Sequence, residues 1–296
     1  MSETGDASAG HVIHPEQLDV YFDSGGVRLA GTLLMPPGHG PHPAVVILQG
    51  SGTQDRRYFG PLPERFARDG LAVLCFDKPG VGASTGNWRH QTLRDRARQA
   101  LDAIRTDRIG LWGHSQGGWV VPLAAASAPE VAFIVAVACP GITPAEQDVY
   151  GVEHRMRGDG YAPAAIAAAT AYVRAIIEAA RRDREYADVK DAVLRGARGE
   201  AWYHYFPVPD ADTWRFFRTG YQQPYDPATA LRRVTCPVPT IFGERDSLLP
   251  VDRSVGIFGA ALREAGNRDV TIAVFLGADR GLAWSRRVGT PQATST

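Results

Sequence analysis

Six short runs of continuous apolar residues constrain this chain more than any other feature. They fall at residues 44–48, 71–76, 109–112, 131–138, 238–242 and 270–276. A strand that is apolar at every position must be covered on both faces, which is how parallel strands inside α/β domains read. Helix-like segments at 63–68, 92–104, 116–126 and 252–265 lie between several of the runs. Strand and helix therefore alternate, and the expected fold is α/β with a mostly parallel central sheet. Two extended segments, 18–22 and 27–35, come before the first run, separated by Asp23-Ser24-Gly25-Gly26. That tetrapeptide is a hairpin signal, so an antiparallel hairpin should open the sheet.

The alternation stops between residues 138 and 238. Residues 164–184 place Ile166, Thr170, Val173, Ile177 and Ala180 at helical spacing. An aromatic-rich stretch follows, including Trp202, Tyr203, Tyr205, Phe206, Trp214, Phe216, Phe217, Tyr221 and Tyr225. A helical insertion of this size between two core strands reads equally as a cap over a site or as an extra packing layer. The expected organisation is a flexible start at 1–17, a core at 18–142 and 231–282, a helical cap insertion at 143–230, and a flexible end at 283–296. The 296 residues suffice for one large domain with a sizeable core.

The chemistry concentrates where apolar runs end. Gly113-His114-Ser115-Gln116-Gly117 matches Gly-x-Ser-x-Gly, follows the run at 109–112 and opens a helix-like segment. A sharp strand-to-helix turn of this kind lifts a serine hydroxyl above the sheet, and small flanking residues let the backbones approach. Ser115 is the candidate nucleophile, and the amide of Gln116 points where an oxyanion would form. Pro122, inside the following helix, predicts a local kink. Gln49-Gly50-Ser51-Gly52 directly follows the run at 44–48, and the amide of Ser51 is the candidate second oxyanion donor. Gly243-Glu244-Arg245-Asp246 follows the run at 238–242, where a carboxylate could fix the tautomer of an imidazole. Asp246 is the better candidate there, and Asp252, after Pro250, begins the next helix.

With these motifs the chain resembles the α/β-hydrolase family, in its esterase and dienelactone-hydrolase-like branch. The resemblance runs from about Leu18 to Leu282 and is carried by residues 49–56, 77–84, 113–118 and 243–246. It implies an α/β-hydrolase fold and a triad in the order serine, acid, histidine, of which Ser115 and Asp246 match the first two. The third does not match. Where the family carries a loop resembling Gly-Ala-Asp-His-Gly, this chain reads Gly277-Ala278-Asp279-Arg280-Gly281. A guanidinium stays protonated at working pH and cannot take a proton from a serine. The eight histidines are His11, His14, His39, His42, His90, His114, His154 and His204, so none lies in the C-terminal third. Residues 284–296 also lack the apolar periodicity of the family's closing helix. Three explanations stand open: His204 or His154 reaches over from the cap, the chain is a weak or inactive relative, or the C-terminus is altered. His114 is expected to point away from the elbow.

The implied activity is that of a serine hydrolase acting on a carboxylic ester through an acyl-enzyme, without metal or organic cofactor. The alternative is a ligand-binding pseudo-hydrolase that has lost turnover. A small ester-like molecule is the expected substrate. With 32 Lys and Arg against 32 Asp and Glu, charge gives no support to nucleic-acid or anionic-membrane binding. The apolar runs are far shorter than the roughly 20 residues of a membrane helix. Cys75, Cys139 and Cys236 sit in or beside apolar runs and read as buried thiols rather than a disulfide or metal site. The first ten residues lack the pattern of a signal peptide, so the expected location is cytoplasmic.

Overall fold

A computed structural model describes residues 14–103 and 109–283 and the backbone of 293–295. Among the described residues nine strands form one sheet in the order β1-β2-β4-β3-β5-β6-β7-β8-β9. β1 (Glu16–Ser24) and β2 (Val27–Met35) make the expected hairpin, with Ser24 opposite Val27. Gly25 and Gly26 both take positive φ, 56° and 80°, which is the two-residue turn whose twist matches the strands it joins. β3 (Ala44–Leu48), β4 (Ala72–Phe76), β5 (Ile109–His114), β6 (Val131–Val137), β7 (Val238–Gly243) and β8 (Val270–Phe275) run parallel to one another, and β4 joins the hairpin by pairing antiparallel with β2. Val45, Val46, Ile47 and Leu48 are all buried, as a strand covered on both faces requires.

Helices α1 (Leu62–Arg68), α2 (Leu93–Asp102) and α3 (Gln116–Ala125) connect the first parallel strands, and α10 (Val251–Glu264) connects β7 to β8. Thr92 caps α2 in a reciprocal bond with Asp95. α3 continues through Pro122, so that residue does not end the helix. β3 has β4 on one side and β5 on the other, so the strand order reverses at β3 and β5. The crevice beyond the C-terminal ends of such strands is where open α/β sheets bind ligands.

Between β6 and β7 lie α4 (Pro144–Gly158), α5 (Pro163–Arg181), α6 (Tyr186–Val189), α7 (Arg195–Ala197), α8 (Ala211–Gln222) and α9 (Pro227–Leu231). A π-helical turn, Lys190–Leu194, joins α6 to α7. Their apolar faces meet in a cluster of their own, including Val152, Met156, Val173, Ile176, Trp202 and Trp214. α5 is long and apolar enough to cross a membrane, but its buried face packs into this cluster.

One difference from the sequence reading lies at the C-terminus. Residues 293–295 form β9 (Ala293–Ser295), antiparallel to β8, within the segment expected to be flexible. The outer edge of β8 offers unpaired backbone groups that a short strand can take up. Three residues are too few for periodicity to show them. Residues 1–13 and 284–292 lie outside the described residues, as does Ile104 at the end of the second expected helix. Cys75 and Cys139 are buried, Cys236 is half-buried, and all three are free thiols.

Candidate active site

The turn between β5 and α3 is strained in a specific way. Ser115 has φ 57° and ψ −116°, a left-handed backbone that side-chain-bearing residues rarely adopt. Its N–H donates to the Val137 carbonyl at 2.9 Å, and its carbonyl accepts from Gly118 at 2.9 Å. The flanking glycines are sterically required. A Cβ on Gly113 would lie 2.2 Å from the Gly117 oxygen, and one on Gly117 would lie 2.3 Å from the Leu48 oxygen. Strand, turn and helix backbones therefore touch, and Ser115 is pushed out over the sheet edge.

The loop after β3 passes beside it. A Cβ on Gly50 would sit 3.1 Å from Cβ of Ser115, and Ser51 and Gln116 line the same cavity as Ser115. Neither the Ser51 nor the Gln116 backbone N–H is taken by an acceptor among the described residues. Two buried basic side chains hold this arrangement. Lys78 Nζ, just past β4, donates to the carbonyl oxygens of Gly50 and Gly52, the latter at 2.7 Å. Burial, helped by nearby Arg96, pushes the Lys78 amine down to about 5. Arg96 on α2 donates to the Gln116 side-chain oxygen at 2.6 Å and to the Gln49 carbonyl at 2.8 Å. It thus ties the Ser115 turn to the β3 loop. Burial lowers the Arg96 guanidinium to about 10, still charged at neutral pH. The Gln49 side chain donates to the Phe76 carbonyl at 2.6 Å, anchoring the same loop to β4.

The loops after β7 and β8 are stitched together on the other side of Ser115. Arg245 N–H donates to the Ala278 carbonyl at 2.8 Å, and Gly277 N–H donates to Glu244 at 2.7 Å. That second bond occupies the Glu244 carboxylate and leaves Asp246 facing the site. Asp246 is buried, and one oxygen accepts the Leu248 N–H at 2.8 Å. Arg280 lies between acid and serine. Its Nη1 reaches both Asp246 oxygens, at 3.0 and 2.8 Å, and its Nη2 donates to Ser115 Oγ at 2.7 Å. The three side chains form one continuous chain, with a guanidinium at its centre.

A family model described as the alpha/beta hydrolase family matches residues 37–282, most of the chain. The chain belongs to the alpha/beta hydrolase family. It is 32% identical over 134 residues to the quorum-quenching protein AidA of Acinetobacter baumannii (strain MDR-ZJ06), covering 42% of this chain and 43% of that protein. It is 34% identical over 84 residues to esterase FrsA of Enterobacter sp. (strain 638), covering 27% of this chain and 20% of that one. It therefore spans less than half the length of either curated relative. The fold resembles that of the Pyrococcus furiosus esterase Pf2001, with TM-score 0.60 and 18% identity over 90% of this chain and 84% of that one.

In this alpha/beta hydrolase no described histidine faces the serine. His114 adjoins Ser115 in sequence, but its Nε2 lies 3.3 Å from the Arg280 carbonyl and its ring stacks on Trp112. Burial shifts its imidazole downward, and because a carbonyl only accepts, Nε2 is the donor there. Its Nδ1 is buried without a partner. His154 and His204 are exposed on the insertion, against Tyr150 and the Ala201 carbonyl respectively.

A cavity of about 250 Å³ opens above Ser115, at the small end for ligand pockets. Ser51, Ser115 and Gln116 line it from the core, and Phe206, Phe216, Phe217, Tyr221 and Tyr225 from the insertion. The aromatic stretch therefore divides. Trp202 and Trp214 pack inside the insertion, while these five rings face the cavity. Among the described residues no group of three or more His, Cys, Asp or Glu could hold a metal ion. Sequence reading missed Lys78, Arg96 and the side chain of Gln49 as supports. Lys78, one of only two lysines and placed just past an apolar run, was the one local signal. Arg96 reads as a solvated helix residue until the fold is known.

Proposed function

We propose that the chain is a serine hydrolase of the carboxylic-ester type that works slowly through an acyl-enzyme on Ser115. The observation that carries the reading is the unbroken chain from Asp246 through Arg280 to Ser115, beneath a cavity flanked by two unpaired backbone N–H groups. Ser115 Oγ bonds to the ester carbonyl carbon, and the carbonyl electron pair moves onto oxygen, facing the amides of Ser51 and Gln116. The alcohol leaves with its bonding electrons and takes a proton from solvent. Water then attacks the acyl-enzyme and releases acid and Ser115. This chemistry uses no metal or organic cofactor, and the natural substrate class is a small ester.

The slow step follows from the direction of the hydrogen bonds. A triad histidine accepts from serine and donates to the acid, whereas a guanidinium donates to both. The serine proton must therefore leave to water. Arg280 lowers the cost of the developing alkoxide but cannot hold its proton. The same observation favours one second reading, a binding protein with an intact pocket and no turnover. An enzyme whose triad is incomplete still retains roughly 10³–10⁴-fold catalysis over water from oxyanion stabilisation and binding. A fluorophosphonate probe should accordingly label wild-type protein slowly and Ser115→Ala not at all. Complete absence of labelling in the wild type leaves only the binding-protein reading.

A further inference from the structure

The cavity above Ser115 holds a carboxylate that ester hydrolysis does not use. Asp148, on α4, lines the cavity wall together with Ser115. One of its oxygens accepts the Tyr221 hydroxyl from α8, which fixes the carboxylate against the aromatic wall. Its other oxygen has no hydrogen-bond partner among the described residues, and Asp148 forms no ion pair there. Arg155, two turns along α4, also lines the cavity, but it donates instead to the Gly151 carbonyl at 2.9 Å and the Tyr205 carbonyl at 3.0 Å. Around the carboxylate side the rings are continuous. Phe206 stacks on Phe217 at 4.6 Å, and Phe217 lies parallel to Tyr221 at 6.0 Å. Burial pushes the Asp148 carboxyl up to about 6, against the opposing effects of the Tyr221 hydroxyl and the nearby Arg155 charge.

A carboxylate with one free oxygen, set among aromatic faces, has the chemistry that recognises a protonated amine. The carboxylate supplies the opposite charge, and the rings supply cation–π attraction. We propose that Asp148 and Tyr221 form the subsite for an ammonium group on the substrate, so that this site takes amine-bearing acyl groups in preference to plain fatty acyl groups. The proposal rests on the hydrolase reading for the word substrate, but the subsite itself is a property of binding. The groups facing the pair are Arg155 from α4 and Arg181 from α5, which acts on Tyr221. Both are cations, so the carboxylate is the one group of this set that attracts an ammonium.

The test uses full-length Ser115→Ala protein, which binds without turnover, so a failure of the nucleophile assignment does not affect it. Straight-chain amides of about three to six carbons, each with and without a terminal amine, are titrated by calorimetry at neutral pH. At one chain length or more, the amine should tighten binding by about tenfold or more. Adding Asp148→Asn, whose amide oxygen can still accept from Tyr221, should abolish that preference while leaving the plain amide within about twofold. Thermal unfolding at or above that of Ser115→Ala alone separates this from loss of structure. Three outcomes overturn the proposal: no amine preference at any length, a preference that survives Asp148→Asn, or an equal gain from a terminal hydroxyl.

Discussion

The turn after β5 and the loop after β8 sit on the same sheet edge, and both deliver a side chain to one point. In the first, backbone geometry and chemistry agree. The positive φ of Ser115, the crowded glycines and the two unpaired amides all suit the nucleophile proposed for this turn. In the second, the scaffold is intact while the chemistry differs. The loop is bonded to β7 through Gly277 and Ala278, and its central side chain spans acid and serine. A guanidinium can bridge the gap an imidazole would bridge, yet it donates at both ends. Positioning a nucleophile and accepting its proton are thus separable properties of one site.

Substitutions at the two loops should separate these properties, beginning with the elbow. Gly117→Ala forces a Cβ to within 2.3 Å of the Leu48 oxygen, a backbone atom that cannot move aside alone. We expect a loss of about 3 kcal/mol or more in urea unfolding, with fluorophosphonate labelling lost as well. Near-wild-type stability would mean the backbones are not in contact. In the β8 loop, Arg280→Met should cost about 2–3 kcal/mol because it strands the buried Asp246. The value falls below the range for a fully buried pair since the Arg280 side chain is 16% exposed. An unchanged midpoint would show that Asp246 does not depend on the guanidinium.

The smallest effect is expected in the insertion, and it has the opposite sign. Asp148 titrates at about 6 in the folded chain against an ordinary 3.8. Between those values the folded state binds more protons than the unfolded state, so stability falls as pH rises through the window. The cost is complete above about pH 6 and absent below about pH 4. Asp148→Asn should therefore stabilise the protein by about 1–3 kcal/mol at neutral pH, with the gain vanishing on acidification. A destabilised variant at neutral pH would show that the carboxylate supports the fold.

Which parts of this were legible in the sequence follows from how local each signal is. The parallel strands were visible because burial on both faces leaves an uninterrupted apolar run such as 44–48. Ser115 was visible because strand, glycine spacing and helix are contiguous, and Asp246 because it directly follows β7. The preference for Asp246 over Glu244 rests in the structure on a bond from Gly277, more than thirty residues away. Lys78, Arg96 and Asp148 had no local signature, since each matters through what other segments bring to it. The aromatic stretch showed which residues share a helical face but not what that face meets. It contains both the apolar cluster of the insertion and part of the cavity wall.

The central claim is that this site lacks only a proton acceptor where Arg280 stands. Hydrolysis of short-chain nitrophenyl esters by Arg280→His, compared with wild type and with Ser115→Ala in the same background, tests it most directly. The account predicts a gain of at least about tenfold in kcat, about 1.4 kcal/mol of barrier, dependent on Ser115 and on an ionisation near that of histidine. No gain, in a variant that folds as the wild type does, would contradict it.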